Sequence, residues 1–309
     1  MIHLSDLGAI DLVKPSVVTI GVFDGMHRGH RYLLRRLVEE ARATDRLAVV
    51  VTFYPHPDVV VRGLTGRYYL LHPDDRARMM GDLGVDVVVT LRFDEELRQV
   101  RAAAFTERLV QHLKLGALWV GADFALGYHR EGNVDFLRAQ GAVHQFDVNV
   151  IELLMADAGE DGAISSTAIR EALAQGEVER AQDLLGYAYH VTGEVVHGAQ
   201  RGRTIGFPTA NIQVWEEQVI PANGVYAGWA ALGDEKFMAV TNVGNRPTFA
   251  GQGVTVEAHL LDFDRDIYDQ VLTFTFERRL RAEMKFSGID ALIAQIHADA
   301  ARGRELLGS

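Results

Sequence analysis

The 309 residues predict two domains of different class: a doubly wound α/β domain with a parallel sheet, then an antiparallel β-barrel or sandwich ending in a helix. Three observations carry this. The length exceeds that of one average domain, and an apolar content of 48 % can fill two cores. The first half alternates apolar, β-branched runs with helical stripes, the pattern of strand–helix–strand units. The second half spaces short strands evenly, with glycine and proline between them.

In the first half the strand-like runs are 17–22, 47–53, 85–91, 118–120 and 148–154. Runs apolar on both faces suit a parallel sheet covered by helices. Between the first two, Leu33, Leu34, Leu37, Val38 and Ala41 fall on one helical stripe, which makes a β-α-β crossover. Further helical patterns cover 73–83 and 103–113. A helical stretch at 178–185 closes this half, so the domains are expected to be 1–185 and 186–309. Beyond it, 191–196, 224–231, 237–242, 255–261 and 271–276 read as strands. Leu292, Ile293, Ile296 and Ala300 then share one face of a terminal helix over 289–306.

Composition excludes several functions. With no cysteine, disulfides, thiolate zinc sites and cysteine nucleophiles are ruled out. The net charge is −11. From Gly186 onward there are 11 Lys and Arg against 15 Asp and Glu, leaving 20 against 27 for the preceding residues. Neither half is basic, so a nucleic-acid partner is not expected. No apolar stretch reaches the roughly 18 residues of a membrane helix, and residues 1–6 do not resemble a signal peptide. A soluble, cytoplasmic protein is expected; composition says nothing about its oligomeric state.

The first run leads through Gly21-Val22-Phe23-Asp24-Gly25-Met26-His27-Arg28-Gly29-His30 into the first helix. Ligands of open α/β sheets bind where strands end and helices begin, and free N–H groups there favour phosphate. Gly25 and Gly29 let backbone approach a ligand. His27 and His30, three apart, can converge on one group and donate hydrogen bonds to charge developing in an in-line displacement. A glycine-rich turn with two surface histidines is the plainer alternative; a zinc pair would need a third ligand, and none is evident. Further on, Ser165, Ser166 and Thr167 precede Arg170, within the first turn of a helical run. Hydroxyls there are ordinary caps, but a cation there opposes the helix dipole, and a bound triphosphate would account for it.

In the second half, 198–204 is not a P-loop, because its glycines stand one residue too close and the lysine is absent. Thr209 and Asn211 point to one face of an extended segment and offer hard, neutral oxygen ligands suited to Mg²⁺. A turn with two capping polar residues is the alternative. Glu257 shares a strand face with His259 and can deprotonate a hydroxyl, although an exposed strand glutamate is commoner.

The His27-x-Gly29-His30 and Ser165-Ser166-Thr167-x-Ile169-Arg170 strings resemble nucleotidyltransferases that transfer AMP from ATP. The full 21–30 string is similar to the FMN adenylyltransferase module of bacterial bifunctional riboflavin kinase/FAD synthetases, as are 53–57, 120–124 and 127–132. Ala125-Leu126 and Tyr54 depart from that family's usual residues. The string Gly206-Phe207-Pro208-Thr209-Ala210-Asn211 resembles the hallmark of riboflavin kinases, followed by matching stretches at 224–226, 242–248, 257–263, 266–268 and 281–286.

The resemblance implies a Rossmann-like nucleotidyltransferase domain and a six-stranded kinase barrel with a C-terminal helix. It implies riboflavin, FMN and ATP as small-molecule partners, Mg²⁺ as cofactor, ATP as co-substrate, and FMN and FAD as product ligands. For the adenylyltransferase it implies ATP binding by Gly21, Phe23, Asp24, Gly25, His27, Gly29, His30, Ser166, Thr167 and Arg170. His56, Gly121, Asp123 and Phe124 would contact flavin or nucleotide. For the kinase it implies ATP binding by Gly198, Arg203, Gly206, Phe207, Pro208, Thr209 and Asn211, with metal on Thr209 and Asn211. Asn242, Arg246, Glu257, Arg281 and Phe286 would contact flavin, with Glu257 as the base. Two other readings stay open: a kinase whose first domain only regulates, and a flavin carrier without turnover.

Overall fold

The computed structural model describes residues 1–151, 164–198, 202, 206–248 and 251–308, and the chain divides into two compact units, Met1–Ser165 and Ser166–Ser309. The first contains β1 (Ile2–Leu4), β2 (Ser16–Ile20), α1 (Arg28–Ala43), β3 (Leu47–Tyr54), α2 (Pro57–Arg62), α3 (Pro73–Asp82), β4 (Val87–Arg92) and α4 (Glu95–Arg98). It continues through α5 (Ala102–Leu113), β5 (Leu115–Gly121), β6 (Ala125–Leu126), β7 (Gly132–Asn133), α6 (Val134–His144) and β8 (Asp147–Ile151). Six strands form a parallel sheet in the order β1-β4-β3-β2-β5-β8. The valines of β2 and β3 are fully buried on both faces, which is why these strands read as continuous apolar runs.

The chain moves from β2 through β3 to β4 on one side, then returns to place β5 on the other side of β2. The gap beyond the carboxyl ends of β2 and β5 is therefore a topological switch point. Glu40 of α1 ties the helix to β5 and β8 by accepting from Trp119 Nε1 at 2.6 Å and Asn149 Nδ2 at 3.0 Å. The sequence reading did not anticipate β1, a three-residue edge strand whose Ile2 stays exposed, so burial left no pattern to read. Residues 152–154 of the fifth expected run lie outside the described residues.

The second unit contains α7 (Ser166–Gln175), α8 (Val178–Leu185), β9 (His190–Val196), β10 (Ala210–Val214), β11 (Gly224–Leu232), β12 (Glu235–Thr248), β13 (Gly251–Leu260), β14 (Val271–Arg281) and α9 (Ile289–Leu307). Its strands close an antiparallel barrel in the order β10-β13-β12-β11-β14-β9. Inward residues alternate with outward ones: on β13, Val256, Ala258 and Leu260 are buried, while Glu257 and His259 are half-buried. Of the six strands, β10 escaped the periodicity reading, because its apolar Ala210, Ile212 and Val214 alternate with Asn211 and Gln213 inside a turn-rich string.

Against the barrel wall, α9 approaches closely at Gly303, where a Cβ would stand 2.8 Å from Val240 Cγ2. The helices α7 and α8 group with the barrel in the second compact unit. Ala222 N donates to Leu173 O at 2.9 Å, and Arg279 reaches the carbonyls of Gln175 and Asn223, each at 2.8 Å. Among the described residues, no helix is long and apolar enough to cross a membrane.

Candidate active sites

In the first unit a cavity of about 710 Å³ opens at the switch point. Its walls include Gly21 and Phe23 after β2, His30 of α1, His56 before α2, and Gly121, Asp123 and Phe124 after β5. These seven of the expected residues therefore meet around one space. Asp24, Gly25, His27 and Gly29 of the same unit do not line it. His27, 5 % exposed, caps α1 with Nδ1 accepting from His30 N at 3.3 Å, and its ring stacks on His30 with centroids 3.5 Å apart. An Nδ1 that accepts leaves the proton on Nε2, which fixes the tautomer. His56 caps α2 in the same way, accepting from Asp58 N at 3.0 Å.

Both imidazoles are neutral near pH 7. Burial pulls His27 down from 6.5 to about 4. His30 is held well below its ordinary value by burial, then by His27 and the Arg76 guanidinium. Its Nδ1 is buried without a protein partner. The pair is thus a set of uncharged N–H donors at a helix start, suited to charge that appears only in a transition state.

Asp24 is not on the cavity wall. It is 1 % exposed, and its carboxylate accepts from Leu70 N at 3.0 Å and Leu71 N at 3.3 Å, so it braces the turn from below. Gly25 turns the backbone there at φ +79°, in the left-handed region, and neither it nor Gly29 lines the cavity. The sequence reading missed Arg76, which is fully buried on α3 and donates to Val22 O at 2.8 Å and Phe53 O at 3.1 Å. Its signal was an arginine on the stripe that also holds Ala77 and Met80. Ser166 and Thr167 open α7 in the second unit, and Arg170 is its fifth residue, just past the first turn.

In the barrel, strand register aligns the expected kinase residues. Asn211 of β10 pairs with Glu257 of β13, Glu257 with Asn242 of β12, Asn242 with Val225 of β11, and Val225 with Arg281 of β14. Cross-strand partners share a face, so Asn211, Glu257 and Asn242 form one outward row. Gly198 lies against it: a Cβ there would stand 2.3 Å from Asn211 Nδ2, so only glycine leaves room for that amide. Thr209 and Pro208 border a cavity of about 340 Å³ whose far wall is the 263–268 connection. The ring of Phe207 is buried. Gly206 opens the turn at φ +87°.

Arg281 has a different surrounding from the one expected. Its Nη2 and Nε hold the Asp299 carboxylate of α9 at 2.8 and 3.0 Å, and Nη1 donates to Ala282 O at 3.1 Å, which fastens the helix. Phe286 lies under the same guanidinium at 5.7 Å. Arg203 and the side chain of Arg246 lie outside the described residues.

Two family models match in order, FAD synthetase over residues 10–168 and riboflavin kinase over 185–307. The bifunctional riboflavin kinase/FMN adenylyltransferase of Escherichia coli K12 is 39 % identical over 295 residues, covering 94 % of this chain and 93 % of its own. This chain belongs to the bifunctional riboflavin kinase/FMN adenylyltransferase family. The member from Haemophilus influenzae is 38 % identical over 300 residues and 96 % of each chain. A crystal structure named as a macrolide-efflux protein from Streptococcus pneumoniae has a TM-score of 0.88 at 31 % identity, covering 98 % of each chain. The family models thus fall on the two sites in turn, the first on the switch-point cavity and the second on the barrel row.

Proposed function

We propose that the chain makes FAD in two steps: the barrel unit phosphorylates riboflavin with ATP, and the α/β unit transfers AMP from a second ATP to the FMN formed. The observation that carries this reading is the barrel row, in which a carboxylate stands in register between two amides beside a glycine-lined turn. Such a row suits a base flanked by phosphate-side ligands.

In the kinase step, Glu257 accepts the proton of the riboflavin 5′-hydroxyl as its oxygen attacks the γ-phosphorus. The bond to the bridging oxygen breaks, and ADP leaves. The Thr209 hydroxyl and Asn211 amide are hard, neutral donors of the kind Mg²⁺ takes beside nucleotide phosphates, and the space that Gly198 leaves at Asn211 suits that use. Among the described residues, no group of three His, Asp or Glu side chains offers another metal site. When bound, Mg²⁺ supplies neutralisation of phosphate charge.

In the adenylyltransferase step, an FMN phosphate oxygen attacks the α-phosphorus of ATP, and pyrophosphate leaves. His30, on the cavity wall, holds the developing charge with a neutral N–H group, the His27 ring is stacked behind it, and neither forms a covalent bond. Gly121, Asp123, Phe124 and His56 wall the space for flavin or nucleotide. The test is to incubate the full chain with riboflavin, ATP and Mg²⁺ and separate the flavins by chromatography. FMN followed by FAD is the expected result. FMN alone removes the second step, and unchanged riboflavin with folded protein overturns the proposal.

A further inference from the structure

The barrel's hydrogen-bond ladder positions Asn211 but stops short of Thr209. The pairing of β10 with β13 begins at Ala210 opposite Ala258. Thr209 therefore lies one residue outside the sheet, directly after a proline that brings no N–H of its own. Upstream, the turn is closed at Phe207, whose N–H donates to Gly202 O at 2.8 Å, two residues short of Thr209.

One side chain reaches this segment from the strand that carries Glu257. His259 follows Glu257 by two residues on the same face of β13, and its Nδ1 lies 2.8 Å from the carbonyl oxygen of Pro208. A carbonyl only accepts, so Nδ1 carries the proton and donates. The adjacent ring of Phe207 meets His259 edge-on at 5.5 Å and His297 of α9 at 4.8 Å. The residues just before Thr209 are thus gripped by an imidazole rooted beside Glu257.

We propose that His259 is a positioning residue for the phosphoryl transfer: by holding the Pro208 carbonyl it sets where Thr209 stands relative to Glu257. This rests on the kinase reading above. A misplacement of about 1 Å in a reacting constellation can lower a rate roughly 10²-fold, and that is the size of effect at issue.

The experiment uses the full chain, in which FAD formation from supplied FMN serves as the internal control. His259→Ala should lower kcat for FMN formation roughly 10²-fold with KM for riboflavin little changed, because a positioning group acts on geometry. FAD formation from FMN should be unaltered. His259→Asn, whose amide can still donate from near the Nδ1 position, should recover most of the lost kcat. Amide hydrogen exchange in peptides spanning 206–211 should quicken in the alanine variant and return toward the wild-type rate in the asparagine variant. Wild-type kcat in His259→Ala overturns the proposal, as does an asparagine variant no better than alanine. Lost activity with unchanged exchange at 206–211 also overturns it. Wild-type protein that makes no FMN would instead sink the kinase reading itself.

Discussion

The two units hold their chemistry in opposite ways. In the α/β unit the working groups stand beyond the ends of strands, and burial fixes their state: His27 and His30 are neutral because water is kept from them. In the barrel unit the working groups stand on the flank of strands, half-exposed, and register fixes their position. The first site is tuned by what surrounds each group, the second by what each group is paired across. Burial tunes protonation, so the stability of the first unit should answer to pH; register tunes geometry, so the second site should answer to loss of a group that positions it.

The sharpest test is separation of phenotypes. Glu257→Ala should slow FMN formation about 10²–10⁴-fold, the range for a lost general base, while FAD formation from supplied FMN is spared. His30→Ala should do the reverse, lowering FAD formation roughly 10²–10³-fold as for a lost charge-stabilising donor. Both are read by flavin chromatography. A folded variant that loses both activities breaks the comparison, because the sites would then not be independent.

Smaller effects probe the scaffolds. Asp299→Ala leaves the Arg281 guanidinium, whose side chain is 19 % exposed, without its carboxylate. Removing one partner of a buried pair costs about 3–5 kcal/mol. Amide exchange should therefore quicken in β14 and α9 and stay unchanged in β2 and β3. Exchange that quickens in both units alike would count against separate scaffolds.

The pH prediction belongs to the α/β unit alone. Unfolded histidine takes up a proton near 6.5 and folded His27 only at about 4, so between these values the unfolded chain binds more protons. Stability of this unit is full above pH 6.5 and declines as pH falls through that window, by an amount of order 3 kcal/mol from His27. Denaturation midpoints across the window should fall for wild type and less so for His27→Gln. Equal slopes would mean that His27 is not held neutral by burial.

Most of both scaffolds was legible in the chain. Parallel strands buried on both faces announce themselves as apolar runs, and barrel strands as alternation, so the order of elements followed from hydrophobic burial. The β10 strand did not, because the same few residues must turn, present Asn211 outward and bury Ala210. The 21–30 string was legible as a strand-to-helix turn, yet which of its residues face the cavity was not. Sequence does not reveal that Asp24 is turned inward to brace Leu70 and Leu71, nor that His27 caps the helix beneath His30. The partners of Arg76 and His259 were not readable, because each meets backbone carbonyls distant in sequence. The helical stretch bearing Ser166, Thr167 and Arg170 was readable as a helix start, but its grouping with the barrel depends on contacts from Leu173 and Gln175 that no local pattern encodes.

The barrel row has one more consequence. If β13 slipped by one residue, Glu257 would turn into the core and Val256 would face water. A carboxylate among buried aliphatic residues would not be tolerated, so the mispaired barrel is unstable for the same reason that it is inactive. Closure of this barrel is therefore a built-in check on the row proposed for the kinase step: a molecule able to hold its core together has already aligned Asn211, Glu257 and Asn242.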